Sequence, residues 1–166
     1  GFFTDKEGAS KHIEAGAKRV VISGPTKSEG LDTIVLGAND DKIAGATEVV
    51  SNASCTTNSL AAVMAVLEAE FGIEKSLMTT VPLQDAPKKD PREGRNAAEN
   101  IVPTSTGAAI AVTQVLPGLK GKFDGISMRV PTPVVSISDV TALLSRDVTV
   151  EEINETFKKT AADPFY

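Results

Sequence analysis

The stretch that most constrains this chain is Ser51-Asn52-Ala53-Ser54-Cys55-Thr56-Thr57-Asn58, where a β-branched run (residues 48–51, EVVS) has to give way to a helix. Beyond it, Leu60, Val63, Met64, Val66, Leu67 and Phe71 recur at helical spacing until Gly72 stops them, so residues 58–71 predict a helix with a broad apolar face. The only cysteine, Cys55, therefore falls where a strand hands over to a helix. Backbone N–H groups and the positive end of a helix dipole stabilise a thiolate at such a place, and the thiolate is the nucleophilic form. The competing reading of a lone cysteine is a small buried hydrophobe.

Upstream, residues 4–15 carry helix-compatible spacing, with Thr4 as N-cap, Glu7 three positions on and Gly16 as the stop. Residues 18–23 (KRVVIS) read as a buried strand ended by Gly24-Pro25, and residues 31–37 (LDTIVLG) as another, followed by the turn Ala38-Asn39-Asp40-Asp41. Helix, glycine, β-branched strand is half of a parallel α/β unit. No G-x-G-x-x-G occurs, so the phosphate-cradling turn that opens a dinucleotide fold is not in this sequence. His12, the one histidine, lies in the first helix and reads as a surface residue; no metal site is expected.

Downstream, residues 73–81 return to strand character, and residues 82–95, rich in proline and charge, predict a surface loop. A short helical piece is expected over residues 96–101, before Pro103. Thr104-Ser105-Thr106-Gly107 leads into an alanine-rich helix over residues 108–116; its hydroxyls and free N–H groups make either an anion site or plain N-caps. Residues 123–130 and 134–144 read as strands joined through Pro131-Thr132-Pro133, with Val135, Ile137, Val140 and Ala142 on the covered face. Arg129 is either an exposed strand end or an anion ligand. Thr149-Val150-Glu151-Glu152 is a capping box for a last helix reaching about residue 162.

The 166 residues are 41% hydrophobic and 23% charged, the balance of a globular chain rather than a disordered one. A net charge of -5 argues against nucleic acid or an anionic membrane as partner and leaves small anions open. One cysteine makes no internal disulfide, and with no signal-like or membrane-length apolar run this predicts a cytoplasmic protein. The first residue is not Met, and the expectation is a piece of a longer protein.

Four motifs in one order are specific: Ser54-Cys55-Thr56-Thr57-Asn58, then Leu77-Met78-Thr79-Thr80-Val81, then Pro103-Thr104-Ser105-Thr106-Gly107-Ala108-Ala109, then Met128-Arg129-Val130-Pro131-Thr132. Together they resemble phosphorylating, NAD-dependent glyceraldehyde-3-phosphate dehydrogenase, and Gly16-Ala17-Lys18-Arg19-Val20-Val21-Ile22-Ser23 resembles the end of that family's NAD domain. The resemblance implies an α/β fold. Residues 1–53 would be the C-terminal part of an NAD-binding domain with a Rossmann-type parallel sheet. Residues 54–166 would be an α+β catalytic domain, incomplete at its C-terminal end, with a mainly antiparallel sheet covered by helices.

The chemistry the resemblance implies is the glycolytic one. The Cys55 thiolate adds to glyceraldehyde 3-phosphate, hydride leaves to NAD, and inorganic phosphate attacks the thioester to give 1,3-bisphosphoglycerate. The family's anion sites fall on Ser54, Thr56, Thr106, Gly107 and Arg129, and Ser23 matches a position near the nicotinamide. A homotetramer is also implied. The family follows Thr-Thr-Val with a histidine that activates the cysteine, whereas here Pro82 follows, and Leu83-Gln84-Asp85-Ala86-Pro87 is family-like again. That pattern indicates a deleted segment. Losing a general base removes a factor of about 10²–10⁴ from a rate. With the first part of the NAD domain and the last strand and helix also outside the sequence, the chain is expected to be inactive or very slow. The alternative is a catalytically silent minimal domain with a folding, assembly or anion-binding role.

Overall fold

Polar caps decide where the helices begin. The computed structural model describes residues 2–26, 28–82 and 99–163. Each of its four α-helices starts after a residue whose side-chain oxygen accepts a backbone N–H left without an intrahelical partner. Asp5 serves α1 (Lys6–Glu14), Ser54 serves α2 (Cys55–Phe71), Thr106 serves α3 (Gly107–Val115) and Thr149 serves α4 (Val150–Thr160). The first cap is thus Asp5 and not the expected Thr4, its carboxylate accepting from Gly8 N at 2.7 Å. Helix α2 begins at Cys55 itself, three residues before the expected start, and ends at Gly72 with φ 68 and ψ 142. A Cβ there would come 2.8 Å from Ser145 Oγ, so the stop requires glycine.

Two sheets carry the fold, and their character agrees with the α/β expectation. Sheet A has three short parallel strands, β1 (Val20–Ile22), β2 (Asp32–Thr33) and β3 (Val49–Ser51), in the order β1-β3-β2. Sheet B has β4 (Ile73–Pro82), β5 (Val102–Ser105), β6 (Phe123–Arg129) and β7 (Ser136–Leu144) in the order β5-β6-β4-β7. Its β4–β6 pair is parallel and its other two pairs are antiparallel, so it is mixed and mainly antiparallel.

Several local readings change. The strand expected over residues 31–37 shortens to Asp32–Thr33, because the Asn39 side chain accepts from Val35 N at 2.9 Å and donates to Thr33 O at 2.8 Å, folding the chain into a turn. Residues 99–101 are not helical, and β5 follows at once; residues 83–98, including most of the expected loop, lie outside the described residues. Ile137, expected on the covered face of β7, is 68% exposed. Its partly buried neighbours are Ser138, Val140, Ala142 and Leu144; Ile137 is an odd number of residues from each, and a strand's period of two puts it on the other side.

The largest core lies between sheet B and the two helices on its inner face. Leu60 and Met64 of α2 and Ala108, Ala109 and Val112 of α3 meet Ile73, Met78 and Phe123 of the sheet. A second cluster, Val35, Ala53, Ala61 and Val115, joins the sheet A side to α2 and α3. A third, Ala9, Ile22 and Val49, sets α1 on one face of sheet A. Among the described residues, no helix is long and apolar enough to cross a membrane.

Candidate active site

The turn that delivers Cys55 is built by three side chains. Ser51, the last residue of β3, donates its hydroxyl to Gly24 O at 2.8 Å and accepts from Ala53 N at 3.1 Å. Asn52 N donates to Ile22 O at 2.9 Å, so the chain is held against the end of β1 up to the turn. Ala53 then takes φ 58, a left-handed conformation that costs a non-glycine residue energy, and it is buried in the joining cluster. Asn58 closes the turn from inside the helix, its Nδ2 donating to Asn52 O at 2.6 Å and Ser54 O at 3.0 Å. The consequence is a fixed helix start.

Ser54 Oγ accepts from Thr57 N at 3.1 Å, capping the helix, and lies 2.8 Å from Thr57 Oγ1, where either hydroxyl can donate and Ser54 keeps its proton for a ligand when Thr57 does. Cys55, the first residue of α2, is exposed, which excludes the reading as a buried hydrophobe. Thr56 is half-buried in the same turn. Seventeen residues of helix aim their dipole at this point. Ser23 is exposed just past the end of β1, beside Gly24, at the carboxyl end of the parallel sheet as Cys55 is.

The other candidate residues come from sheet B and α3. Thr106 caps α3 through Ala108 N at 3.2 Å, and Gly107, exposed, is the first helical residue. Arg129 ends β6, half-buried, on the covered face because it follows inward Ser127 by two. Pro82 ends β4, and its carbonyl accepts from Val130 N at 3.0 Å, so Pro82 and Arg129 stand side by side. Helices α2 and α3 each lead back to the start of a strand, β4 and β6, and those strands are parallel. Both helix starts therefore point toward the carboxyl ends of β4 and β6, the side on which Pro82 and Arg129 stand.

One feature escaped the sequence. Thr104, Ser127, Thr80 and Ser138 align in register across β5, β6, β4 and β7, giving a row of hydroxyls on the inner face beside Arg129. Thr80 and Ser127 are almost fully buried. The signal was available only as parity, since the four residues are far apart along the chain.

Comparison with known proteins bears on the family of the chain. Residues 54–166 match the family model for the glyceraldehyde 3-phosphate dehydrogenase C-terminal domain. Glyceraldehyde-3-phosphate dehydrogenase 1 of Bacillus subtilis (strain 168) is 54% identical over 169 residues, covering 97% of this chain and 50% of the relative. Glyceraldehyde-3-phosphate dehydrogenase of Mycobacterium avium is 52% identical over 168 residues, and that of Mycolicibacterium smegmatis 53% over 171. The chain spans about half the length of the curated relatives it matches. The matched stretches exceed the 166 residues of this chain, so the relatives carry internal positions that it lacks. On the family model, the identities and the ordered motifs together, the chain belongs to the glyceraldehyde-3-phosphate dehydrogenase family.

Proposed function

We propose that this chain carries the acyl-transfer site of a phosphorylating glyceraldehyde-3-phosphate dehydrogenase, with Cys55 as the nucleophile. The observation that carries the reading is the exposed Cys55 thiol at the first position of a capped 17-residue helix. Ser54, Thr56, Thr106, Gly107 and Arg129 are the candidate ligands for the anionic groups of substrate and phosphate, as hydroxyls, a helix-start N–H and a guanidinium. Residues 1–53 are read as the carboxyl-terminal part of an NAD domain and residues 54–166 as the catalytic domain.

The family implies NAD, which would accept hydride from the aldehyde adduct. Ser23, at the carboxyl end of β1, fits one edge of such a site. The residues present do not make the rest: the sequence lacks the glycine-rich turn, and among the described residues no strand continues the sheet beyond β1. The hydride step is therefore not assigned to this chain alone. Pro82, following Thr79-Thr80-Val81, offers no proton shuttle for it either.

The acyl half needs no redox partner. Cys55 Sγ attacks the acyl carbon of an acyl phosphate, the carbon–oxygen bond breaks, and its electron pair leaves on inorganic phosphate. In reverse, phosphate attacks the thioester and the thiolate leaves. Phosphate leaves as a stable anion and needs no proton from the protein, so this half calls least on the missing base.

Glycolytic context and a cytoplasmic setting go with this role. So does self-association: Leu77, Ile126, Ile137 and Leu143 form an exposed apolar stripe on the outer face of sheet B, suited to a second copy. The second reading, a catalytically silent domain that folds, assembles or binds anions, is favoured by Pro82, which follows Thr79-Thr80-Val81 and has no ionisable group. Intact-mass analysis after mixing with 1,3-bisphosphoglycerate separates the two. An adduct on Cys55, lost in Cys55→Ser and reversed by phosphate, is expected, while glyceraldehyde 3-phosphate, phosphate and NAD yield no NADH. Absence of the adduct sinks the acyl-transfer reading.

A further inference from the structure

We propose that Asn58 is a positioning residue for Cys55: by clamping the strained turn at Ala53 it fixes the direction in which the thiol leaves α2, and with it the rate of acyl transfer. The proposal rests on Cys55 acting as the acyl-transfer nucleophile. Ala53 has φ 58, in the left-handed region where a β-carbon crowds the following carbonyl, and it stands just before the Ser54 cap and Cys55. Such a conformation persists only where the surrounding structure over-determines it.

The surroundings do so on every side of Ala53. Ser51 Oγ accepts the N–H of Ala53 itself at 3.1 Å and is anchored by donating to Gly24 O at 2.8 Å. The carbonyls of the residues before and after, Asn52 O and Ser54 O, both accept from Asn58 Nδ2, at 2.6 and 3.0 Å. Asn58 N donates to the same Ser54 O at 2.9 Å, so Asn58 grips the turn through its backbone and its side chain together. The residue type matters. Both side-chain bonds are donations from one nitrogen, and among uncharged side chains only asparagine and glutamine carry two hydrogens on one nitrogen.

Without the carboxamide, Ala53 relaxes toward negative φ, and the residues that follow turn with it. Ser54 Oγ caps α2 through Thr57 N at 3.1 Å, so a turned Ser54 gives up the cap and loosens the first turn, on which Cys55 and Thr56 stand. Cys55 is exposed already, so relaxation leaves the sulfur open to a small reagent. What changes is whether the sulfur meets an acyl carbon held by Thr106, Gly107 and Arg129, which stand on α3 and β6 and not on this turn. A misplacement of about 1 Å can cost about 10²-fold in such a step.

The test is single-turnover acylation of the full chain by 1,3-bisphosphoglycerate, read by intact mass, beside alkylation of Cys55 by iodoacetamide, in which the sulfur displaces iodide. Asn58→Ala is expected to lower the maximum acylation rate about tenfold, while the half-saturating acyl phosphate concentration and the alkylation rate stay within about twofold. A chain already carrying Ala53→Gly adopts φ 58 without the cost of a β-carbon, and there the same substitution should lose about threefold or less. Glycine does not repair a general weakening of the fold. Ser51→Ala, which removes the bond to the Ala53 N–H from the β3 side, should be rescued by Ala53→Gly in the same way, and it carries the test if Asn58→Ala does not fold by circular dichroism. Equal losses with and without Ala53→Gly overturn the proposal, as does a fall in alkylation that matches the fall in acylation. No adduct on the unsubstituted chain removes the acyl-transfer reading and this proposal together, whereas an adduct without the coupling removes the proposal alone.

Discussion

Sheets A and B belong to one chain of ordinary composition, yet they are finished to different degrees. Sheet B has four strands, one of them ten residues long, and two helices seal its inner face over Leu60, Met64, Met78, Val112 and Phe123. Sheet A has strands of two and three residues, one helix on one face and a core of Ala9, Ile22 and Val49. Burial of apolar area is what offsets chain entropy, so the two units cannot be equally stable on their own. The candidate site sits at the seam between them. Its cysteine rises from the well-packed α2, while Ser23 hangs from the poorly covered β1.

The sharpest way to break this comparison is to delete matched side chains from the two cores. Met64→Ala, at a fully buried site, is expected to cost roughly 2–5 kcal/mol, with the whole of sheet B unfolding together. Ile22→Ala should cost no more than the low end of that range, because its small cluster borders an open layer that can collapse. Urea denaturation of both variants checks it, and equal losses would mean that the sheets form one cooperative unit. A smaller effect is read without mutation. The amides of Val20 and Asn52 in and beside sheet A should exchange at least about tenfold faster than that of Ser76 in β4, since units with few buried apolar contacts open first.

The same contrast explains what the sequence disclosed. Helix α2 was legible because spacing and stop agree: the Leu60-to-Phe71 periodicity and Gly72 are local signals, whereas its start was expected three residues late because the Ser54 cap was not read. Cys55 came with that strand-to-helix reading, Thr106 and Gly107 came from the start of the alanine-rich helix, and Ser54 and Thr56 came only from the family resemblance. Strand β5 did not, since Pro103 reads as a breaker; it is tolerated because β5 lies at an edge of sheet B. Arg129 was visible as a charge among apolar residues, but its placement on the covered face depends on the parity of Ser127 and Arg129. The hydroxyl row of Thr104, Ser127, Thr80 and Ser138 depends on which strands are neighbours, and β4 separating β6 from β7 is a property of topology that no local pattern encodes.

The smallest expected effect concerns how α4 is tied to the better-packed unit. Arg146, just beyond β7, donates from Nη2 to Glu152 Oε1 at 2.6 Å, and its guanidinium lies 5.0 Å from the Phe71 ring centre at the end of α2. The hydrogen bond from Arg146 is the main reason the Glu152 carboxyl titrates below its ordinary value of 4.5; burial opposes this, and the Arg146 charge and the Thr149 backbone add to it. A folded-state value below the unfolded one means that ionised Glu152 favours the native chain. That contribution is complete above the ordinary glutamate value and is lost as pH falls through it and on through the lower folded value. Both groups are exposed, so salt screens the pair and the effect is small. Glu152→Gln should therefore melt slightly below wild type at neutral pH, and the gap should close in acid and in high salt. A gap that stays constant with pH would assign α4 attachment to its packing on α2, where Phe157, Val63 and Val66 line one groove, and leave the ion pair without a part in it.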